Sequence, residues 1–291
     1  VLPDLRAQLG TMIFRRVAGP DGRAVRARIH DTAGPRWFAP GRPIRTVHGD
    51  ASMFIGGVSA LLLQSLHPLA MAAVAAHSGF RGDPWGRLQR TSAFLAVTTY
   101  GTAADAQAAV DRVRGIHERI RGRAPQGQRY HAADPHLLGW VHAAETESFL
   151  RAHERFGRDP LDADGYDAYV ADTAVVAEAL GVVDPPRDRR ALGRRLAAYR
   201  PELRATPEAW AAARFLLVDP PLPLVVRPAY GILAANAVAL LPPWARGLLR
   251  LPRVPLVEDL TVVPAGRLLT RTVRWAMAPG QAPERPPPAP S

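Results

Sequence analysis

Helix punctuation recurs along this 291-residue chain and strand punctuation does not, and that contrast constrains the fold more than any other feature. A helix leaves its first backbone N–H groups unpaired, so Asp, Ser or Thr just before it, with Pro in the first position, marks a start. Gly just past the last turn marks a stop, because the left-handed conformation needed there is open to it. Asp83-Pro84 opens WGRLQRTSAFLAVTTY, which runs to Gly101. Thr102, with Asp105 three residues on as an Asp variant of the capping box, opens a helix expected to end at Gly122. Asp134-Pro135 begins a helix of about six turns ending near Gly157, and Asp162 begins another that stops at Gly181. Shorter helices are expected at 189–199, at 207–218 behind Thr206, and at 264–277. There is no fixed-period repeat and no dividing linker. The expected fold class is therefore all-α: one multi-helix domain over 1–278, then a Pro-rich tail at 279–291 that reads as disordered.

A hydrophobic content of 47% is ample for a sizeable core. Residues 51–80 contain no Asp, Glu or Arg, a length that would cross a bilayer. Against a span stand Gly56-Gly57, Gln64, Ser65, His67, Pro68 and His77, so a buried core helix broken at Pro68 is the better account. The first residues have no long apolar run followed by a cleavage site, so no secretory signal is evident. The Pro-bounded apolar stretch 222–251 is too short to cross a membrane but can lie on one. A cytoplasmic protein, with peripheral membrane contact as the partner surface, is the expectation.

The chain has no Cys, which excludes disulfides, zinc-thiolate sites, iron–sulfur clusters and thiolate-ligated haem. All 37 basic residues are Arg, so Schiff-base chemistry and a P-loop lysine are excluded too. The formal charge of +11 would suit nucleic acid or an anionic membrane. The arginines are spread along the whole length without interleaved aromatics, and no nucleic-acid partner is expected.

Three groups of residues stand out. At about 100° per residue, Ala106, Ala109, Val110, Val113, Ile116, His117 and Ile120 share one arc of the helix 103–121, opposite its charged residues. His117 thus sits where an aliphatic side chain is expected. A buried imidazole satisfies its two ring nitrogens by hydrogen bonds or by binding a metal, and both readings stay open. Arg87, Arg90 and Thr91 lie within one turn and can present two guanidinium groups and a hydroxyl to an anion; the alternative is a solvated face with salt bridges. Glu145 projects among Leu138, Val141, Ser148, Phe149 and Ala152, as a general base or as counter-ion to Arg87 or Arg90. Common templates fail: HERIR and HERFG lack the second His of HExxH, no Glu-x-x-His pair suggests a di-iron site, and neither GxSxG nor GxGxxG occurs. His48-Gly49-Asp50 mimics two ligands of a facial triad, although Asp50 serves equally as a helix cap.

The succession LLLQSLHPLAMAAVAAHSGFRGDPWGRLQRT, VRGIHERIRG and YHAADPHLLGWVHAAETESFLRAHERFG resembles the MpaB-type oxygenase family, which includes rubber oxygenase (latex-clearing protein). The resemblance is close over 49–181 and extends to Tyr199 and beyond. It implies an all-helical fold enclosing a pocket for one haem b, with a core-helix histidine as axial iron ligand. By motif, His117 resembles that ligand, and Arg87 and Thr91 resemble the pocket residues of an Arg-x-x-basic-Thr motif. The basic position, Lys in rubber oxygenases, is Arg90 here, a poor iron ligand because it stays protonated. The stretch LHPLAMAAV has no acid where rubber oxygenases carry a glutamate, and Glu145 is the candidate replacement. The implied activity is a haem-dependent oxygenase using O2 on a small apolar substrate, such as an isoprenoid or another alkene. A non-catalytic haem-binding sensor or carrier is the alternative, as is a membrane-associated helical protein without cofactor.

Overall fold

The computed structural model describes residues 2–77 and 82–278, so the expected disordered tail lies outside the described residues. The helices begin where the capping residues stand. Asp83 accepts from Gly86 N at the start of α6 (Pro84–Tyr100), and Thr102 accepts from Asp105 N at the start of α7 (Ala103–Arg119). Asp134, Asp162 and Thr206 likewise cap α8 (Pro135–Phe156), α9 (Ala163–Leu180) and α11 (Pro207–Leu217), with α10 (Arg189–Tyr199) between the last two. Gly181, with φ 107°, closes α9 in the left-handed conformation that Gly tolerates best.

The long α8 is the axis of the core. Trp140, Ala143, Ala144 and Ala152 on it are wholly buried, and α4 (Met53–Gln64) packs along it more extensively than any other helix pair. The two approach closely because Gly56 has no side chain; a Cβ there would sit 2.8 Å from Phe149 and 3.0 Å from Ala152. Trp140 Nε1 donates to Gln64 O at 3.1 Å, so the indole is buried with its polar atom satisfied. The apolar stretch breaks where Pro68 demands it: α4 and α5 (Pro68–His77) meet at 108°. No single described helix is long and apolar enough to cross a membrane.

The short α3 (Pro43–His48) rests on α9, where buried Asp172 accepts from Ile44 N at 3.2 Å and binds Arg42. At the other end of the chain, α12 (Arg227–Leu240) packs on α4, and α13 (Pro243–Leu248) follows it. A short turn, α14 (Pro255–Val257), then leads into α15 (Val263–Met277). Arg274 of α15 grips Asp50 through two nitrogens at 2.8 and 2.9 Å, tying the C-terminal helix to the entrance of α4. Asp50 also accepts from Ser52 N at 2.8 Å, so it serves as a turn cap and ion-pair anchor and not with His48 as a metal ligand. The chain's opening helices, α1 (Leu2–Ala18) and α2 (Gly22–Asp31), cover α6.

One expectation fails in detail. The helix carrying His117 ends at Arg119, and Arg121–Arg123 pairs antiparallel with Arg129–His131 as a two-stranded hairpin, β1 and β2. Ile120 turns to an extended conformation, and its carbonyl accepts from Ala132 N at 2.9 Å across the hairpin. That long-range bond takes the place of the next helical one.

Candidate functional site

Helices α6 and α7 form an antiparallel hairpin joined by Gly101 and Thr102. Arg87 and His117 lie at nearly equal distances along the chain from that connection. Near the connection the hairpin is packed: Thr98 and Thr99 on α6 and Ala106 and Val110 on α7 are buried. Farther out, no residue of 84–97 or 111–119 is fully buried, and Leu88 and Ile116 are 39% and 42% exposed. The inner arc of α7 is thus core at one end and an uncovered apolar wall at the end that carries His117.

His117 is only partly exposed, and its Nδ1 is enclosed yet finds no hydrogen-bond partner among the described residues. That is costly for a ring nitrogen with no further role. Desolvation, then nearby His131, holds its pKa below the ordinary histidine value, so the ring is neutral at pH 7 and keeps a lone pair to donate. Arg87 is half-buried; burial first, and the like charge of Arg90 second, lower its pKa from the usual guanidinium value. Arg90 and Thr91 are exposed, and Arg90 pairs with Asp83 at 3.1 Å, which anchors it to the start of its own helix.

Glu145 lies deeper. Burial pushes its carboxyl up to about 7, against a hydrogen bond from Gln64 that pulls it down. Gln64, and not Arg87 or Arg90, is therefore its partner. Glu145 sits close enough to Tyr169 to raise that phenol's pKa further. Tyr169 OH in turn lies 3.4 Å from His48 Nε2, and His48 Nδ1 is 2.9 Å from Thr99 Oγ1. His48 is pushed down to about 3 and His142 to about 4, both chiefly by burial. His142 meets Thr146 at 3.4 Å through Nδ1, while its Nε2 is unpartnered. His48, His142 and Glu145 are each part-buried by accessible surface. Between α3, α8 and α9 the fold thus gathers neutral imidazoles, a phenol and a carboxyl able to hold a proton near pH 7.

The sequence offered His117, Arg87 and Glu145 as candidates, and His48 only beside Asp50 as a possible metal-ligand pair; it gave no sign of the interior setting in which His48, Gln64 and Tyr169 stand. No local signal marks that setting, because each of the three becomes polar interior only when distant helices pack. A surface groove of about 630 Å³ along α1, lined by Thr11, Met12 and Gln89, touches none of these residues.

Comparison with known proteins matches residues 45–275 to the family described as ER-bound oxygenase mpaB/B'/Rubber oxygenase, catalytic domain. An uncharacterized protein of Mycobacterium tuberculosis and one of Mycobacterium bovis are each 34% identical over 108 residues, 36% of this chain. The match spans 42% of the length of those curated relatives. No solved structure matches significantly. Since the family match takes in most of the chain and every helix from α4 to the greater part of α15, the chain belongs to the MpaB/rubber oxygenase catalytic-domain family.

Proposed function

We propose that the protein is a haem b-dependent oxygenase that uses O2 on a small apolar substrate, with an isoprenoid or other alkene as the substrate class. The observation that carries this reading is His117, a neutral imidazole with an enclosed, unpartnered Nδ1 on an apolar wall, in a chain of an oxygenase family.

The chemistry of these side chains suits an iron porphyrin. His117 would hold the iron, Leu88 and Ile116 would flank the flat apolar face, and Arg87 would pair with an anionic propionate edge. Bound haem would supply oxygen binding and redox chemistry. The chain's own contribution is polarity and position. Arg87 stays charged, while Thr91 offers a hydroxyl one turn away on the same face. Glu145 holds or releases a proton near neutrality. Arg90, tied to Asp83, has a helix-anchoring role and no iron-binding one. Peripheral contact with a lipid surface would suit an apolar substrate, and Leu224, Val225, Leu256 and Leu260 expose apolar side chains for it.

The test is spectroscopic. Purified protein should show a Soret band and a haem b pyridine haemochrome, and His117→Ala should lose most of its haem. A colourless preparation that takes up no added haemin, or full occupancy in the variant, would sink the assignment. Oxygen consumption with candidate alkenes then separates an enzyme from a haem carrier.

A further inference from the structure

Away from the α6–α7 hairpin, three side chains from separate segments converge at the corner between α4 and α5. His67 stands in the break itself, His136 is the second residue of α8, and Glu202 ends the 3-10 turn Arg200–Glu202 behind α10. His67 Nε2, His136 Nε2 and Glu202 Oε2 all lie within 4.8 Å of one another. His136 Nε2 is 2.8 Å from Glu202 Oε2 and His67 Nε2 is 3.5 Å from it. Two imidazoles and one carboxylate are the donor set of many first-row divalent metal sites.

We propose that His67, His136 and Glu202 bind a first-row divalent transition cation, Zn²⁺ being the natural probe, as a clip joining the α4–α5 corner, the start of α8 and the turn after α10.

An independent observation points the same way. The His67 side chain is 3% exposed, and its Nε2, aimed into the cluster, makes no hydrogen bond. With metal–donor distances of about 2.0–2.1 Å, ligand atoms around a tetrahedral zinc stand about 3.3–3.4 Å apart. The His67–Glu202 separation already approximates that edge. The His136–Glu202 pair would open by roughly half an ångström, which two half-exposed side chains can do. The rings are held from behind: Tyr199 packs 4.7 Å from His136 and donates to its backbone carbonyl at 2.7 Å, while Trp140 lies 6.3 Å from His67. Arg204 N donates to Leu66 O at 2.9 Å, fixing the turn behind Glu202 to the corner that carries His67. The exposed side of the cluster leaves the fourth coordination position to water.

The competing account is that His67 only caps α5, since its Nδ1 accepts from Ala70 N at 3.5 Å. That contact is at the limit of a hydrogen bond. Metal binding selects the tautomer protonated on Nδ1 and exchanges this weak contact for a metal bond.

The test uses the full chain with its haem content as purified, freed of loosely held metal by a chelator and then titrated with Zn²⁺ by calorimetry. The expected result is one saturable equivalent and a raised melting temperature in the wild type. His136→Ala and Glu202→Gln alter exposed side chains and should leave the fold intact. Each should weaken Zn²⁺ binding by more than about 100-fold, beyond the 10- to 100-fold that loss of an outer partner costs. The Soret band and haem content should not change in either variant, so this outcome stands or falls separately from His117. Absence of a saturable equivalent in the wild type, or equal affinity in both variants, would overturn the proposal.

Discussion

Glu145→Gln should make the protein more stable at alkaline pH and change little in acid. The ordinary pKa for this carboxyl is 4.5 and burial raises it to about 7 in the fold. Below 4.5 the folded and unfolded chains both carry the proton, and burial of the neutral acid brings no ionisation penalty. Between 4.5 and 7 the unfolded chain ionises while the folded one keeps its proton, so stability falls with rising pH. Above about 7 the loss is complete. At about 1.36 kcal/mol per pKa unit, the shift amounts to roughly 3 kcal/mol. Glutamine reproduces the shape and hydrogen bonding of the protonated acid without titrating, so the variant escapes the whole decline. With an unfolding entropy of about 2.1 cal/mol/K per residue, or roughly 0.6 kcal/mol/K for this chain, the variant should melt about 5 °C above wild type at pH 8. The difference should shrink toward zero near pH 4.5. Calorimetric or circular-dichroism melts across that range measure it. Equal melting temperatures at pH 8, or a gap that does not change with pH, would show that the Glu145 carboxyl is not enclosed as the packing of α8 against α4 and α9 requires.

Arg87→Ala should reduce oxygen consumption more than haem content, because the guanidinium orients an anion while His117 retains the iron; turnover equal to wild type would count against its pocket role. Gly56→Ala gains about 1 kcal/mol of helix propensity but drives a Cβ to 2.8 Å from Phe149. Overpacking of that kind costs about 1–3 kcal/mol, so denaturant melts should show net destabilisation of up to about 2 kcal/mol. Glu258 is held down to about 2, first by its hydrogen bonds from buried Arg246. Its contribution is present above the ordinary value of 4.5 and fades as pH falls toward 2. Glu258→Gln should therefore destabilise the wild-type fold at pH 7 and much less at pH 2.5, as pH-dependent melts would show.

Much of the helical framework was legible because capping is local. Asp83, Thr102, Asp134, Asp162 and Thr206 each accept a backbone N–H two or three residues ahead, and each helix starts where its cap stands. Helix ends were less legible when a distant strand competed, as at Ile120. The inward placement of His117 could be read from its arc on α7, since angular position depends only on spacing along one helix. Its uncovered setting could not, because that depends on what α6, α7 and their neighbours leave unpacked.

The sequence alone determined the class of fold, most helix starts, the family resemblance and the candidates His117, Arg87 and Glu145, all carried by contacts within one turn or by contiguous motifs. Tertiary structure decided the 108° corner at Pro68, the choice of Gln64 as the partner of Glu145, the His48–Tyr169 contact and the meeting of His67, His136 and Glu202. These join residues far apart along the chain. Their proximity is set by which helix faces bury together, a property of packing that no local pattern encodes.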